Sequence, residues 1–193
     1  ATIVALEPES RNRGVLVVLN DTIHSAKWAH KSNTFSLQTF VSVNAGVQGL
    51  VVEGRAKYLS CAVSRKIYPL PVKAFPKVAV VQSYLDNDGQ IIALVGKSEF
   101  DGVVIDGFGA GHVSFGMMDE IKKLKIPVVV SSRTGSGMCA TRTYGYKGSE
   151  IDLQSSGCVM SGWLSAIKAR LLLMILIADE IPPQEIKNEF ENF

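Results

Sequence analysis

The strongest constraint on the fold is a regular alternation of short apolar runs and amphipathic segments in the C-terminal half of the chain. Apolar runs that predict strands begin at Lys77, Gly102 and Ile126. Strands about two dozen residues apart, with helices between them, are typical of right-handed βαβ units, which build a parallel sheet. The pattern therefore predicts the α/β fold class, with a complete small domain over residues 77–193.

The helices of this domain are predicted from apolar residues at helical spacing. They cover Asp88–Lys97, a segment marked by Val113, Met117, Ile121 and Leu124, then Ser165–Glu180, and a last segment that Pro182-Pro183 opens and on which Ile186, Phe190 and Phe193 share a face. Proline is favoured at the first helical position, which supports the start of the last helix.

The N-terminal part is less complete. A short helical turn is predicted at Thr2–Glu7 and a hairpin around Glu53-Gly54, within Gly49–Tyr58. Gly14–Leu19 is a continuous apolar run, which predicts a strand buried on both faces of a parallel sheet. The polar stretch Asn20–His24 is predicted to be a turn at its C-terminal end, where open α/β sheets place their ligand sites.

These elements divide the chain into three parts. Residues 1–63 hold too little to close a core and are predicted to be the end of a larger domain that self-associates or is partly disordered. Residues 64–76 contain three prolines and no strand or helix period, which predicts a linker. Residues 77–193 form the complete domain.

Charge, apolar run length and cysteine count limit the classes of function that this chain can have. Twenty Lys and Arg against eighteen Asp and Glu give a net charge of +2, which does not favour nucleic-acid binding. The longest apolar run, Leu171–Ala178, is far below the roughly 20 residues of a membrane span. Three cysteines without a CxxC pair disfavour a disulfide framework and a zinc site, although one pairing stays open. No metal or other cofactor is predicted.

Three features are candidates for chemistry. The glycine-rich turn Gly107–His112 joins a strand to a helix and could bind an anion or be a tight turn without a ligand; His112 stands where a dinucleotide fingerprint has glycine. Lys31, beside small hydroxyl residues, could be a desolvated base or a solvated surface lysine. Glu150 could bind an ammonium group or be an ordinary loop carboxylate.

Several ordered motifs resemble the bacterial-type L-asparaginase family, and together they span nearly all of the chain. They are Gly14–Ala26 with its Asn-Asp ending, Lys31-Ser32-Asn33-Thr34, Thr39-Phe40, Gly102–Val113, Val128–Arg133 with Ser-Ser-Arg, Tyr144–Glu150, Ser161-Gly162 and Lys168–Arg170. The Asn-Asp-Thr-Ile-His stretch is closer to the type II branch, whose members are usually exported, which favours a periplasmic or secreted location.

The resemblance implies an amide hydrolase that converts L-asparagine, and often L-glutamine, to the acid and ammonia. A threonine attacks the side-chain amide, and a second threonine, an aspartate and a lysine assist proton transfer. Lys31 matches that lysine. Glu150 matches the acidic residue that binds the substrate's α-amino group in a neighbouring subunit's site, and His112 replaces an asparagine of that region. Family members are homotetramers, built as dimers of dimers.

The sequence departs from the family in two respects. Ala110 and His112 replace family residues, which puts amino-acid selectivity in doubt. Neither the Thr-Gly-Gly-Thr-Ile nor the His-Gly-Thr-Asp-Thr segment that carries the threonines occurs, so this chain is expected to be the C-terminal portion of the enzyme and inactive alone. The alternatives are a non-catalytic amino-acid-binding or assembly module and the asparaginase-like subunit of a tRNA-dependent amidotransferase.

Overall fold

The computed structural model describes residues 1–63, 65–71 and 74–193. Ser64, Val72 and Lys73 of the predicted linker lie outside the described residues. The chain forms two compact units, Ala1–Lys66 and Ile67–Phe193.

The first unit is mainly antiparallel β-structure. Its elements are α1 (Thr2–Leu6), a 3-10 turn (Pro8–Ser10), β1 (Leu16–Leu19), β2 (Thr22–Ser25), β3 (Ala29–Lys31), β4 (Phe40–Ser42), β5 (Gly49–Val52) and β6 (Arg55–Tyr58). Four of the strands form a sheet of order β1-β2-β5-β6, and β3 pairs with β4 in a separate two-stranded ladder. Val4, Ile23 and Ala56 form a small buried core.

The first predicted strand is present, but the prediction that it is buried on both faces of a parallel sheet is wrong. β1 pairs antiparallel with β2, and Val15, inside the predicted run, is 74% exposed. The predicted polar turn is also shorter, because Asn20 and Asp21 alone form it and Thr22–Ser25 is a strand. Both turn residues have positive φ, the conformation of the two-residue turns that close hairpins. Glu53 and Gly54 also have positive φ, and they join the antiparallel strands β5 and β6, which confirms the predicted hairpin.

The second unit has the predicted α/β architecture. Its elements are β7 (Val78–Gln82), α2 (Gln90–Gly96), β8 (Gly102–Gly107), α3 (Phe115–Ile121), β9 (Val128–Ser132), α4 (Glu150–Ser155), β10 (Val159–Met160), α5 (Ala166–Ala178) and α6 (Pro183–Glu191). The four strands form a parallel sheet of order β10-β9-β8-β7, which confirms the predicted sheet of βαβ units.

Both faces of this sheet are covered, because successive side chains of a strand point to opposite faces. Val103 and Ile105 of β8 belong to a core that includes Met117 of α3. Val104 points to the opposite face and packs in a second core with Leu173 of α5. This burial on both sides explains why the strands are continuous apolar runs. In the described parts of the chain, no helix is long and apolar enough to cross a membrane.

Candidate functional site

Lys31 is the last residue of β3, and its side chain is exposed. With Ser32, Asn33 and Thr34 it lines a shallow, open depression. The Oδ1 atom of Asn33 accepts hydrogen bonds from the Phe35 and Ser36 N–H groups at 2.8 and 2.9 Å, which shapes the loop after the strand. The described residues therefore do not give Lys31 the desolvated environment that a lysine base needs.

The glycine-rich turn follows β8, as the sequence predicted, but its backbone is largely occupied. The N–H groups of Gly111 and His112 both donate to the Phe108 carbonyl, at 2.7 and 2.9 Å, and the Phe108 N–H donates to the His112 carbonyl at 2.8 Å. These donors are therefore not available to an anion. The turn instead fixes the position of the His112 side chain.

Glu150 is not a loop residue but the first residue of α4, and it is fully buried. Its Oε1 atom accepts hydrogen bonds from the backbone N–H groups of Thr143 and Tyr144, both at 2.6 Å. Its Oε2 atom lies 2.9 Å from Nε2 of His112. The carboxylate thus faces into its own domain and joins the preceding loop, the glycine-rich turn and α4.

The local hydrogen bonds keep Glu150 ionised. Burial by itself raises the pKa of a carboxyl group, but here the N–H donors of Tyr144 and Thr143, together with the His112 ring, hold the pKa of Glu150 below its ordinary value. Its place in the first turn of α4 adds a further favourable interaction, because a helix N-terminus attracts negative charge.

His112 is surrounded by aromatic side chains. Its Nδ1 atom lies 2.6 Å from the hydroxyl of Tyr146, and the rings of Tyr144 and Tyr146 both meet the imidazole edge-on, with centroids 5.0 and 5.4 Å away. The His112 side chain is only 12% exposed, whereas Tyr146 is 49% exposed. We call Glu150, His112, Tyr144 and Tyr146 the His112 cluster.

The segment before α4 is tied to this cluster by further hydrogen bonds. The hydroxyl of Ser149 donates to the Tyr144 carbonyl at 2.7 Å, and the Ser149 N–H donates to the Tyr146 carbonyl at 3.0 Å. The side-chain amide of Gln154 donates to the carbonyls of Thr141 and Glu150. This segment, although rich in glycine, therefore has a defined conformation.

The structure brings two of the three predicted site residues together. His112 and Glu150 make direct contact in the second unit, while Lys31 belongs to the first unit. Sequence reasoning did not single out Tyr146 and Tyr144. The cluster of tyrosines shortly before Glu150 was the signal that could have found them.

The cysteines do not form a reactive centre. Cys61 is exposed, Cys139 and Cys158 are buried, and all three are free thiols. Burial raises the pKa of Cys139, and it raises that of Cys158 to about 12. Within residues 1–63, 65–71 and 74–193, no group of three His, Cys, Asp or Glu side chains is placed to hold a metal ion.

Two known domain families match most of the chain. Residues 77–190 match the glutaminase/asparaginase C-terminal domain, and residues 1–63 match the N-terminal asparaginase domain. The chain belongs to the bacterial-type L-asparaginase family. This confirms the resemblance that the ordered motifs indicated.

Relatives in the asparaginase family align along the whole chain. L-asparaginase 2 of Escherichia coli (strain K12) is 32% identical over 202 residues, which cover 100% of this chain and 56% of the relative. A probable periplasmic L-asparaginase of Haemophilus influenzae is 29% identical, with coverages of 100% and 56%. A glutaminase-asparaginase of Acinetobacter glutaminasificans is 25% identical, with coverages of 100% and 60%. The chain thus spans little more than half the length of these relatives.

Proposed function

We propose that the protein acts as the C-terminal part of an amide hydrolase that converts L-asparagine to L-aspartate and ammonia, with L-glutamine as a second substrate. The observation that carries the proposal is the order of the two domain matches, N-terminal asparaginase over 1–63 and C-terminal domain over 77–190. The names of the relatives, L-asparaginase and glutaminase-asparaginase, support the same chemistry.

The nucleophile in this proposal is a threonine outside the printed sequence, because neither threonine-bearing segment of the family occurs in it. Hydrolysis of an amide by a hydroxyl nucleophile needs a group that removes its proton and a group that protonates the leaving ammonia. This chain on its own is therefore proposed to be inactive.

Lys31 is proposed to assist proton transfer to and from the nucleophile. Its exposure and its place in an open polar depression support this role, since the depression leaves room for the segment that carries the threonines. Contact with that segment would shield the ammonium group from water, which is the environment in which a lysine can act as a base.

The His112 cluster is proposed to serve the substrate's amino-acid end in a neighbouring subunit's site, within a homotetramer built as a dimer of dimers. The burial of Glu150 makes this role indirect. Its carboxylate is enclosed in its own domain, so its charge reaches a ligand through His112 rather than by direct contact.

The test is ammonia release from L-asparagine and L-glutamine by the complete protein encoded by the reading frame. Lys31→Met is expected to lower kcat by about 100-fold to 10,000-fold, the range of general acid–base catalysis. Lys57→Met, an exposed lysine on β6, is the matched control and is expected to keep wild-type activity.

The same assay distinguishes the alternatives. The 193-residue chain alone is expected to release no ammonia. Ammonia release by this chain alone would contradict the external nucleophile, and full activity of Lys31→Met would contradict the role of Lys31. A folded complete protein that binds L-asparagine without releasing ammonia would instead be an amino-acid-binding module.

A further inference from the structure

His112 is the middle member of a hydrogen-bonded chain that runs from a buried carboxylate to an exposed hydroxyl. Glu150 Oε2 lies 2.9 Å from His112 Nε2, and His112 Nδ1 lies 2.6 Å from the Tyr146 hydroxyl. Glu150 is fully buried, whereas half of Tyr146 is exposed. The hydroxyl of Tyr146 is therefore the end of this chain that a ligand can reach.

The position of each proton follows from the partners. An ionised carboxylate only accepts hydrogen bonds, so the Nε2 atom of His112 must carry a proton and donate it to Glu150. In a neutral imidazole the other nitrogen is then an acceptor, so the hydroxyl of Tyr146 must donate to Nδ1. The hydroxyl oxygen keeps its lone pairs for a partner outside the cluster.

We propose that Glu150 and His112 act as positioning residues that fix the direction of the Tyr146 hydroxyl, so that its oxygen accepts a hydrogen bond from a ligand N–H group. A cationic amine, such as the α-amino group of an amino acid, suits this acceptor. The identity of the ligand rests on the proposed function, whereas the arrangement of protons is a property of this chain.

We call the hydrogen-bonded chain from Glu150 through His112 to Tyr146 the relay. Glu150→Gln is its sharpest test. The N–H groups of Thr143 and Tyr144 both need an acceptor, so the amide oxygen is expected to take the place of Oε1. The amide NH₂ then faces Nε2 of His112 and donates to it. The neutral ring must therefore move its proton from Nε2 to Nδ1.

The first measurement is ¹⁵N NMR of the 193-residue chain with labelled histidine, at a pH where the ring is neutral. We expect the Nε2–H tautomer for His112 in the wild type and the Nδ1–H tautomer in Glu150→Gln. Glu185→Gln, in the first turn of α6 and exposed, is the matched control and is expected to keep the wild-type tautomer. A wild-type Nδ1–H tautomer, or a proton that stays on Nε2 in Glu150→Gln, would overturn the relay.

The second measurement uses the complete enzyme. Tyr146→Phe removes only the hydroxyl and is expected to raise KM for L-asparagine about tenfold or more, with kcat nearly unchanged, because the variant loses one hydrogen bond to a charged group. Tyr84→Phe, a half-exposed tyrosine elsewhere in the second unit, is the control. Equal KM values for the two variants would overturn the ligand-binding role of Tyr146. A complete protein without any ammonia release would contradict the proposed function, while the NMR result would still decide the relay.

Discussion

Replacing Glu150 by alanine tests the account of the His112 cluster most simply. The carboxylate accepts three hydrogen bonds, from the N–H groups of Thr143 and Tyr144 and from the His112 ring. Leaving a buried donor without a partner costs about 1–3 kcal/mol. The backbone bonds are only partly buried, so water can reach these donors, and the lower end of the range applies.

Three donors at about 1 kcal/mol each give a loss of roughly 3 kcal/mol in the unfolding free energy of the second unit. For a domain of this size, that loss lowers Tm by roughly 10 °C. The assay is thermal unfolding at pH 7, followed by circular dichroism and by the fluorescence of Trp163, which lies in the second unit. Glu185→Ala, at an exposed site in α6, is expected to stay within about 0.5 kcal/mol of the wild type.

The loss should depend on pH in one direction. The pKa of Glu150 is lowered in the folded state, so its ionised form contributes stability above the ordinary carboxyl pKa of 4.5, and the contribution disappears as the pH falls through the folded-state pKa. The difference between the wild type and Glu150→Ala should therefore shrink in acid. A Glu150→Ala protein as stable as the wild type at pH 7 would show that the three hydrogen bonds to this carboxylate do not stabilise the second unit.

Three further predictions concern the fold. Burial lowers the pKa of His24, so the first unit should lose stability as the pH falls below the ordinary histidine value of 6.5, and His24→Gln should reduce this dependence in urea unfolding. Gly116→Ala should destabilise by about 1–3 kcal/mol, although alanine favours helices, because its Cβ would lie 2.6 Å from the Asp88 carbonyl oxygen; chemical denaturation measures this. A thiol reagent should label Cys61 rapidly and the other two cysteines slowly, because Cys61 is exposed whereas Cys139 and Cys158 are buried.

Each of these has its control. His30 is exposed, so His30→Gln should leave the pH dependence of unfolding unchanged. Gly96→Ala should be close to neutral, because its Cβ would meet only the flexible end of Leu124. Cys61→Ser should abolish the rapid labelling. Rapid labelling of more than one thiol in the native protein, a stabilised Gly116→Ala, or a His30→Gln effect equal to that of His24→Gln would contradict the corresponding argument.

The sequence pattern predicted the second unit well because its strands are buried on both faces. Such strands are continuous apolar runs, and their regular spacing with helices between them leaves few topologies. The pattern did not reveal α4 or β10, since both are short and their hydrophobic character is carried by few residues, such as Leu153 and Val159. Lengths of two and six residues are too short for a period to appear.

The first unit shows why an apolar run alone is ambiguous. Gly14–Leu19 was predicted to lie in a parallel sheet, yet the next two residues, Asn20 and Asp21, both adopt positive φ and close a hairpin. Asn and Asp tolerate that conformation better than other residues with side chains. The turn chemistry is thus present in the sequence, whereas the apolar run before it does not by itself distinguish a parallel from an antiparallel strand.

The candidate site was predicted in part. His112 and Glu150 were identified individually from the motifs, but their contact joins residues 38 positions apart and depends on how a turn and a helix start meet. No local pattern carries that information. The exposure of Lys31 and the full burial of Glu150 also depend on tertiary structure, and the sequence left both possibilities open for each residue.

We propose that this chain supplies the C-terminal part of an amide hydrolase whose threonine nucleophile lies elsewhere. The most direct measurement is the DNA sequence upstream of the codon for Ala1, continued to the start of the reading frame. We expect in-frame segments that encode Thr-Gly-Gly-Thr-Ile and His-Gly-Thr-Asp-Thr. A start codon close to Ala1, with neither segment, would contradict it.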